Sequence, residues 1–191
     1  DTRPIDLPML SPELFEALTT GAAGREEVPP EPRPIDRILR HAVTAPTSVA
    51  IRQVDGPTLT YAELNGRIWS LAQRLRARGV GEGALVGILM PRSIDRVISM
   101  LATHAVGGAF LPLDPADPSP RLAWVVGDAK VSCLMVAAET AGTIPNTAGL
   151  ELLVDHTAEA TPTVRELPVP APSDSAYVVY TSGSTGQPKG V

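Results

Sequence analysis

Ala84-Leu85-Val86-Gly87-Ile88-Leu89-Met90 is a continuous run without a charged or hydrogen-bonding side chain. It is too short for a typical helix, and it shows none of the in/out alternation of a half-exposed strand. It therefore predicts a strand buried on both faces, which favours a parallel sheet with helices on either side. Val131-Ser132-Cys133-Leu134-Met135-Val136 repeats the pattern. Between these two runs the period changes. Ser93 can cap a helix carrying Ile94, Val97, Ile98, Leu101 and Ala105, closed by Gly107-Gly108. Phe110–Leu113 is a short strand, and Ser119-Pro120 opens a third helix with Leu122, Val125 and Val126 inward. Strands alternating with helices at this pace imply right-handed βαβ crossovers and an α/β fold with a mixed or parallel sheet.

Upstream, Ile35, Ile38, Leu39 and Ala42 recur at helical spacing, and Val49–Val54 reads as a strand. Asp55-Gly56-Pro57 turns the chain into a second short strand. Thr60-Tyr61-Ala62-Glu63 is a capping box for a helix whose stripe is Leu64, Ile68, Leu71 and Leu75, ending at Gly79. Arg74, Arg76 and Arg78 fall in its last turn, where the negative helix end favours cations. Residues 1–34 read as an interdomain linker: prolines at 4, 8, 12, 29, 30, 32 and 34 leave room for one short helix, opened by Ser11-Pro12-Glu13 and stopping near Gly21. Residues 35–191 form the folded part. Downstream, residues 138–149 are loop, Leu150–Val154 is a further strand, and residues 157–174 make a Pro-rich connector. No internal repeat is visible.

The 191 residues suffice for one ordinary domain, or one and a half small ones. Apolar residues at 43% argue against a disordered chain. Sixteen Lys and Arg against 21 Asp and Glu, a net charge of −5, give no electrostatic footprint for nucleic acid. No apolar run approaches the roughly 20 residues that span a bilayer, so no membrane partner is expected. The opening Asp1-Thr2-Arg3-Pro4 does not read as a signal peptide, and a cytoplasmic setting is expected. The single cysteine, Cys133, sits in an apolar run and reads as a small buried hydrophobe. His41, His104 and His156 have no metal-site spacing.

The chemistry is concentrated at the end of the sequence. Ala176-Tyr177-Val178-Val179-Tyr180, a strand by composition, runs into Thr181-Ser182-Gly183-Ser184-Thr185-Gly186-Gln187-Pro188-Lys189-Gly190. Glycines let backbone amides turn inward and approach an anion closely. Hydroxyls add donors for several phosphate oxygens, and Lys189 supplies a point charge for an outer phosphate. The segment is not a Walker A loop, because only two residues separate Gly183 from Gly186 and Pro188 precedes Lys189. Nor is it the Rossmann glycine pattern. The plain alternative is a Ser/Gly/Thr connector, but the apolar strand before it and the placed Pro-Lys-Gly favour phosphate binding.

Residues Asp174–Gly190 resemble the phosphate-loop signature of the adenylate-forming superfamily, which includes acyl-CoA synthetases, luciferases and the adenylation domains of nonribosomal peptide synthetases. Leu59-Thr60-Tyr61-Ala62-Glu63-Leu64 resembles the first adenylation-domain core motif. Val106-Gly107-Gly108-Ala109-Phe110-Leu111-Pro112-Leu113-Asp114 resembles the second, with Val106 and Phe110 where Ala and Tyr are commoner. The stretch from Asp114 through Ser119-Pro120-Arg121-Leu122 to Asp128-Ala129 has a peptide-synthetase character, and Leu7–Glu13 is similar to a condensation–adenylation linker. Read from the residues alone, the upstream motifs are structural: Thr60 and Glu63 cap a helix, Gly107-Gly108 end one, and Asp114 holds a turn.

The resemblance implies the N-terminal portion of the large subdomain of an adenylate-forming enzyme, an incomplete fold ending just after the phosphate loop. The parent would activate an amino or aryl acid with Mg-ATP and pass it to a carrier-protein phosphopantetheine thiol. Thr181, Ser182, Gly183, Ser184, Thr185, Gly186, Lys189 and Gly190 would bind the ATP phosphates. No catalytic residue and no metal ligand is expected within the fragment. The Mg2+ ligands, the acid pocket and a catalytic lysine would lie beyond Val191, leaving the piece inactive alone. Implied partners are the rest of the adenylation domain, a condensation domain and a peptidyl carrier domain. A small MbtH-like protein near the helix opening at Ser119 is left open. Two other readings stand beside this one: a fragment of an acyl-CoA or aryl-acid ligase, and an interaction scaffold with a vestigial loop.

Overall fold

The computed structural model describes residues 33–54, 56–154, 175–181 and 188–191. All belong to one compact unit, Arg33–Val191. The readings of residues 1–32 and of the 157–174 connector lie outside the described residues.

The order is α1 (Pro34–Thr44), β1 (Val49–Arg52), β2 (Thr58–Thr60), α2 (Tyr61–Ala77), β3 (Leu85–Leu89), α3 (Ile94–Ala105), β4 (Ala109–Leu113), α4 (Ser119–Ala129), β5 (Cys133–Val136), β6 (Glu151–Leu153), β7 (Tyr180–Thr181) and β8 (Lys189–Gly190). β3 to β6 form a parallel sheet in the order β4-β3-β5-β6. β1 and β2 form an antiparallel hairpin, Ile51 opposite Leu59. β7 and β8 form another, Tyr180 opposite Gly190 and Thr181 opposite Lys189.

The continuous apolar runs make sense once the sheet's two faces are separated. Successive strand residues point to opposite faces. Val86 and Ile88 of β3, Cys133 and Met135 of β5 and Leu152 of β6 join one core with α2 and α3. Leu89 of β3, Leu111 and Leu113 of β4 and Leu134 and Val136 of β5 join a second core under Leu122, Val125 and Val126 of α4. A strand with helices on both faces has no polar side to present, so its sequence cannot alternate. Ile88, Leu134 and Met135 are fully buried, and each such side chain stabilises the fold by about 1.5–3 kcal/mol relative to exposure. Cys133, at 1% exposure, is the small core hydrophobe its sequence context indicates, and burial pushes its thiol pKa up.

The helix ends follow local chemistry. The Glu63 amide donates to Thr60 Oγ1 at 3.3 Å, and the Thr60 amide donates to Glu63 Oε2 at 2.8 Å. Donation to this carboxylate from the Thr60 amide, and then from the Thr60 hydroxyl at 2.9 Å, holds the Glu63 carboxyl below its ordinary value. Ser93 Oγ accepts from the Arg96 amide at 3.2 Å to start α3. Gly107, at φ 82°, ends it: its amide reaches His104 O, and the Gly108 amide reaches Thr103 O. That pair of bonds is a Schellman closure, which needs a left-handed residue where glycine stands. Asp114 holds its turn as expected, Oδ1 accepting from the Ala116 amide at 3.0 Å.

Two details depart from the sequence reading. Arg74 and Arg78 do more than sit near a negative helix end. They donate across to Leu153 O and Glu151 O, whose carbonyls lie along β6 at the sheet edge, so they cover an edge that would otherwise offer free acceptors. Ser119 opens α4 as expected, and its hydroxyl donates to Thr143 O at 2.8 Å. The Ala176–Tyr180 strand is shorter than its composition indicates. It adds to β4 through one parallel bridge, Tyr177 to Phe110. There the Phe110 amide donates to Ala176 O and the Val178 amide to Phe110 O. The next donor on that side of β4 would be residue 112, which is proline, so the ladder stops. The chain then pairs with Val191 instead, the amides and carbonyls of Val179 and Val191 bonding each other at 3.0 and 2.9 Å.

Candidate phosphate-binding site

Residues 175–178 run parallel to β4, so Thr181 leaves at the carboxyl end of the sheet. In open α/β sheets that is the end where ligands bind. Thr181 and Lys189 stand opposite each other across the β7–β8 ladder, both exposed. Neighbouring residues of a strand face opposite ways, so this pair shares one face of the hairpin while Tyr180 and Gly190 share the other. A hydroxyl and an ammonium group thus flank the mouth of the glycine- and serine-rich segment. Of the residues expected to bind phosphate, Thr181, Lys189 and Gly190 are described and lie together. Ser182, Gly183, Ser184, Thr185 and Gly186 lie outside the described residues.

The side of the hairpin facing the domain is tied down. Tyr180 Oη donates to Asp128 Oδ2 at 2.6 Å, and the Tyr180 ring meets Trp124 edge-on, centroids 6.1 Å apart at 85°. Burial first, and then the Asp128 bond and charge, push the Tyr180 hydroxyl up to about 12. Upstream, His104 Nε2 lies 2.9 Å from Ala176 O, so that nitrogen carries the proton. The Phe110 ring lies between His104, at 5.2 Å, and Tyr177, stacked at 5.7 Å. Sequence reasoning missed Trp124, Asp128 and His104. Trp124 and Asp128 are four apart, hence on one helix face, but nothing in the local pattern names a partner 52 residues on.

A cavity of about 200 Å3 is lined by Arg33, Pro34, His104, Gly107, Gly108, Ser175 and Ala176. It lies at the amino end of β4, opposite the end where Thr181 emerges, and neither Thr181 nor Lys189 lines it. Among the described residues no group of three or more His, Cys, Asp or Glu could hold a metal ion. No described helix is long and apolar enough to cross a membrane.

The fold is a parallel α/β sheet with helices on both faces, and Thr181 leaves at its carboxyl end. Comparison with known proteins makes the class specific. The family model for AMP-binding enzymes matches residues 38–191. The chain is 45% identical over 154 residues to a plipastatin synthase polypeptide of Bacillus subtilis (strain 168), covering 80% of this chain and 6% of that protein. It is 38% identical over 191 residues to a linear gramicidin synthase polypeptide of Brevibacillus parabrevis, covering 97% of this chain and 2% of that one. Among solved structures, the nonribosomal peptide synthetase FmoA3 in its AMPPNP-bound form superposes with a TM-score of 0.71 at 33% identity, covering 84% of this chain and 17% of that one. The chain belongs to the AMP-binding enzyme family, in its nonribosomal peptide synthetase branch. It spans only a small share of the relatives it matches.

Proposed function

We infer that this chain supplies the ATP phosphate-binding segment of an adenylation domain in a nonribosomal peptide synthetase. The observation that carries this is the exposed Thr181–Lys189 pair, at the carboxyl end of a strand in a chain of the AMP-binding family. The parent reaction is acid activation. A carboxylate oxygen of an amino or aryl acid attacks the α-phosphorus of ATP, the bond to the β-phosphate oxygen breaks, and pyrophosphate leaves. The resulting acyl adenylate is consumed when a carrier-domain phosphopantetheine thiol attacks the acyl carbon and AMP departs.

The task of this chain is to receive the charge that accumulates on pyrophosphate as it leaves. Donors fixed in advance at that position stabilise the transition state without reorganising. The Thr181, Ser182, Ser184 and Thr185 hydroxyls and the amides around Gly183 and Gly186 donate to β- and γ-phosphate oxygens. The Lys189 ammonium offsets their charge, and Gly190 lets the returning strand pass close to its partner. Mg2+ accompanies ATP in this chemistry and neutralises phosphate charge. The described residues offer no ligand set for it, and its ligands, the acid pocket and the nucleoside contacts belong to the rest of the adenylation domain. Condensation and carrier domains are its neighbours, in a cytoplasmic enzyme.

Acid-dependent exchange of labelled pyrophosphate into ATP by the intact adenylation domain tests the reading. Lys189→Ala and Thr185→Ala are each expected to slow exchange by about 100- to 1000-fold, as loss of one preorganised donor does. Wild-type rates in both variants would leave the segment a vestigial connector.

A further inference from the structure

Tyr180 immediately precedes Thr181, and its side chain leaves β7 on the face opposite the Thr181–Lys189 pair. It crosses to α4, where its hydroxyl is held by Asp128 and its ring by Trp124. Trp124 and Asp128 lie one turn apart and so form a two-point seat on one helix face. The same ring also sets the spacing of the returning strand. A methyl group at Gly190 would come within 3.2 Å of Tyr180 Cε2, tighter than ordinary contact. One side chain therefore holds both strands at the root of the segment against a helix of the sheet. The backbone ladder to β4 cannot do this, because it ends at Val178, before the hairpin begins.

We propose that Tyr180, seated by Asp128 and Trp124, is a positioning residue for ATP that sets where Thr181 and Lys189 meet the polyphosphate. The proposal rests on the phosphate-binding reading above. Its physical basis is that donors displaced by a fraction of an ångström lose most of their hold on the polyphosphate, in bound ATP as in the transition state. Tyr180 touches no reacting atom and acts only through its neighbours.

The experiment is steady-state pyrophosphate exchange on the intact adenylation domain, with KM for ATP and KM for the acid measured separately and folding checked by thermal melting. Tyr180→Phe keeps the ring and removes the hydroxyl, while Asp128→Ala removes the acceptor. Each is expected to raise KM for ATP about tenfold, the worth of one hydrogen bond to a charged group. KM for the acid stays unchanged. The double variant is no worse than either single one, because both remove the same bond. Asp128→Asn, whose side-chain carbonyl can still accept, restores most of the loss.

An unchanged KM for ATP, additive single effects, or equal rises in both KM values would overturn the proposal. If Tyr180→Phe does not fold, Asp128→Ala and Asp128→Asn carry the same comparison. A parallel Lys189→Ala arm separates the two claims. If Lys189→Ala raises KM for ATP and the Tyr180 and Asp128 variants do not, only the positioning role fails. If Lys189→Ala is also silent, the phosphate reading itself fails.

Discussion

At the scale of single residues, the side chain that matters most outside the glycine-rich segment is Tyr180. An unfolded tyrosine titrates near 10, whereas in the folded chain burial and Asp128 push Tyr180 up to about 12. The native state holds this proton longer than the unfolded state. The resulting stability is complete below about pH 10 and is lost as pH climbs from about 10 to about 12. Tyr180→Phe should flatten that part of the stability profile and lower its neutral plateau by the worth of the lost bond to Asp128. Denaturant midpoints at about pH 9 and about pH 11 check it. The contrary result is an equal fall in wild type and variant. The residues around Tyr180 show how little of this is legible in the sequence. Tyr180 reads as a strand residue and Asp128 as one position of a family pattern. Their hydrogen bond depends on how α4 crosses the sheet, which no local spacing encodes.

At the scale of elements, hydrophobic period and caps locate every helix from Pro34 to Ala129 and every strand of the sheet, because each signal is local. What they miss is non-local. Composition makes Ala176–Tyr180 one continuous strand, yet Pro112 on a neighbouring strand cuts its ladder after Val178. Arg74 and Arg78, at the end of α2, serve carbonyls of β6 more than 70 residues away. The junction of α3 and β4 offers a test at this scale. An added Cβ at Gly108 would meet Ala84 O, a backbone atom, at 2.9 Å, whereas at Gly87 it would meet Leu134 Cδ1, a side-chain tip, at 2.8 Å. Backbone cannot step aside as a rotamer can. Gly108→Ala should therefore cost about 1–3 kcal/mol and more than Gly87→Ala, as read from chemical denaturation. Equal costs would show that the junction is looser than its geometry.

At the scale of the whole molecule, one parallel sheet with a core on each face explains why its strands read as unbroken apolar runs, and why the chain is recognisable as α/β from sequence alone. The same topology aims the carboxyl end of the sheet at the Thr181–Gly190 segment. The proposed site residues are legible because hydroxyls and glycines followed by a lysine are the residue types a polyphosphate would need. Their setting, an exposed cross-strand pair above an anchored tyrosine, emerges only from the fold. The central claim is that this segment grips the outer phosphates of ATP. Calorimetric binding of AMPPNP and of AMP to the intact adenylation domain, wild type and Lys189→Ala, tests it most directly. The expected result is a loss of about tenfold or more in AMPPNP affinity with AMP affinity unchanged. Equal losses for both nucleotides, or none for either, would contradict it.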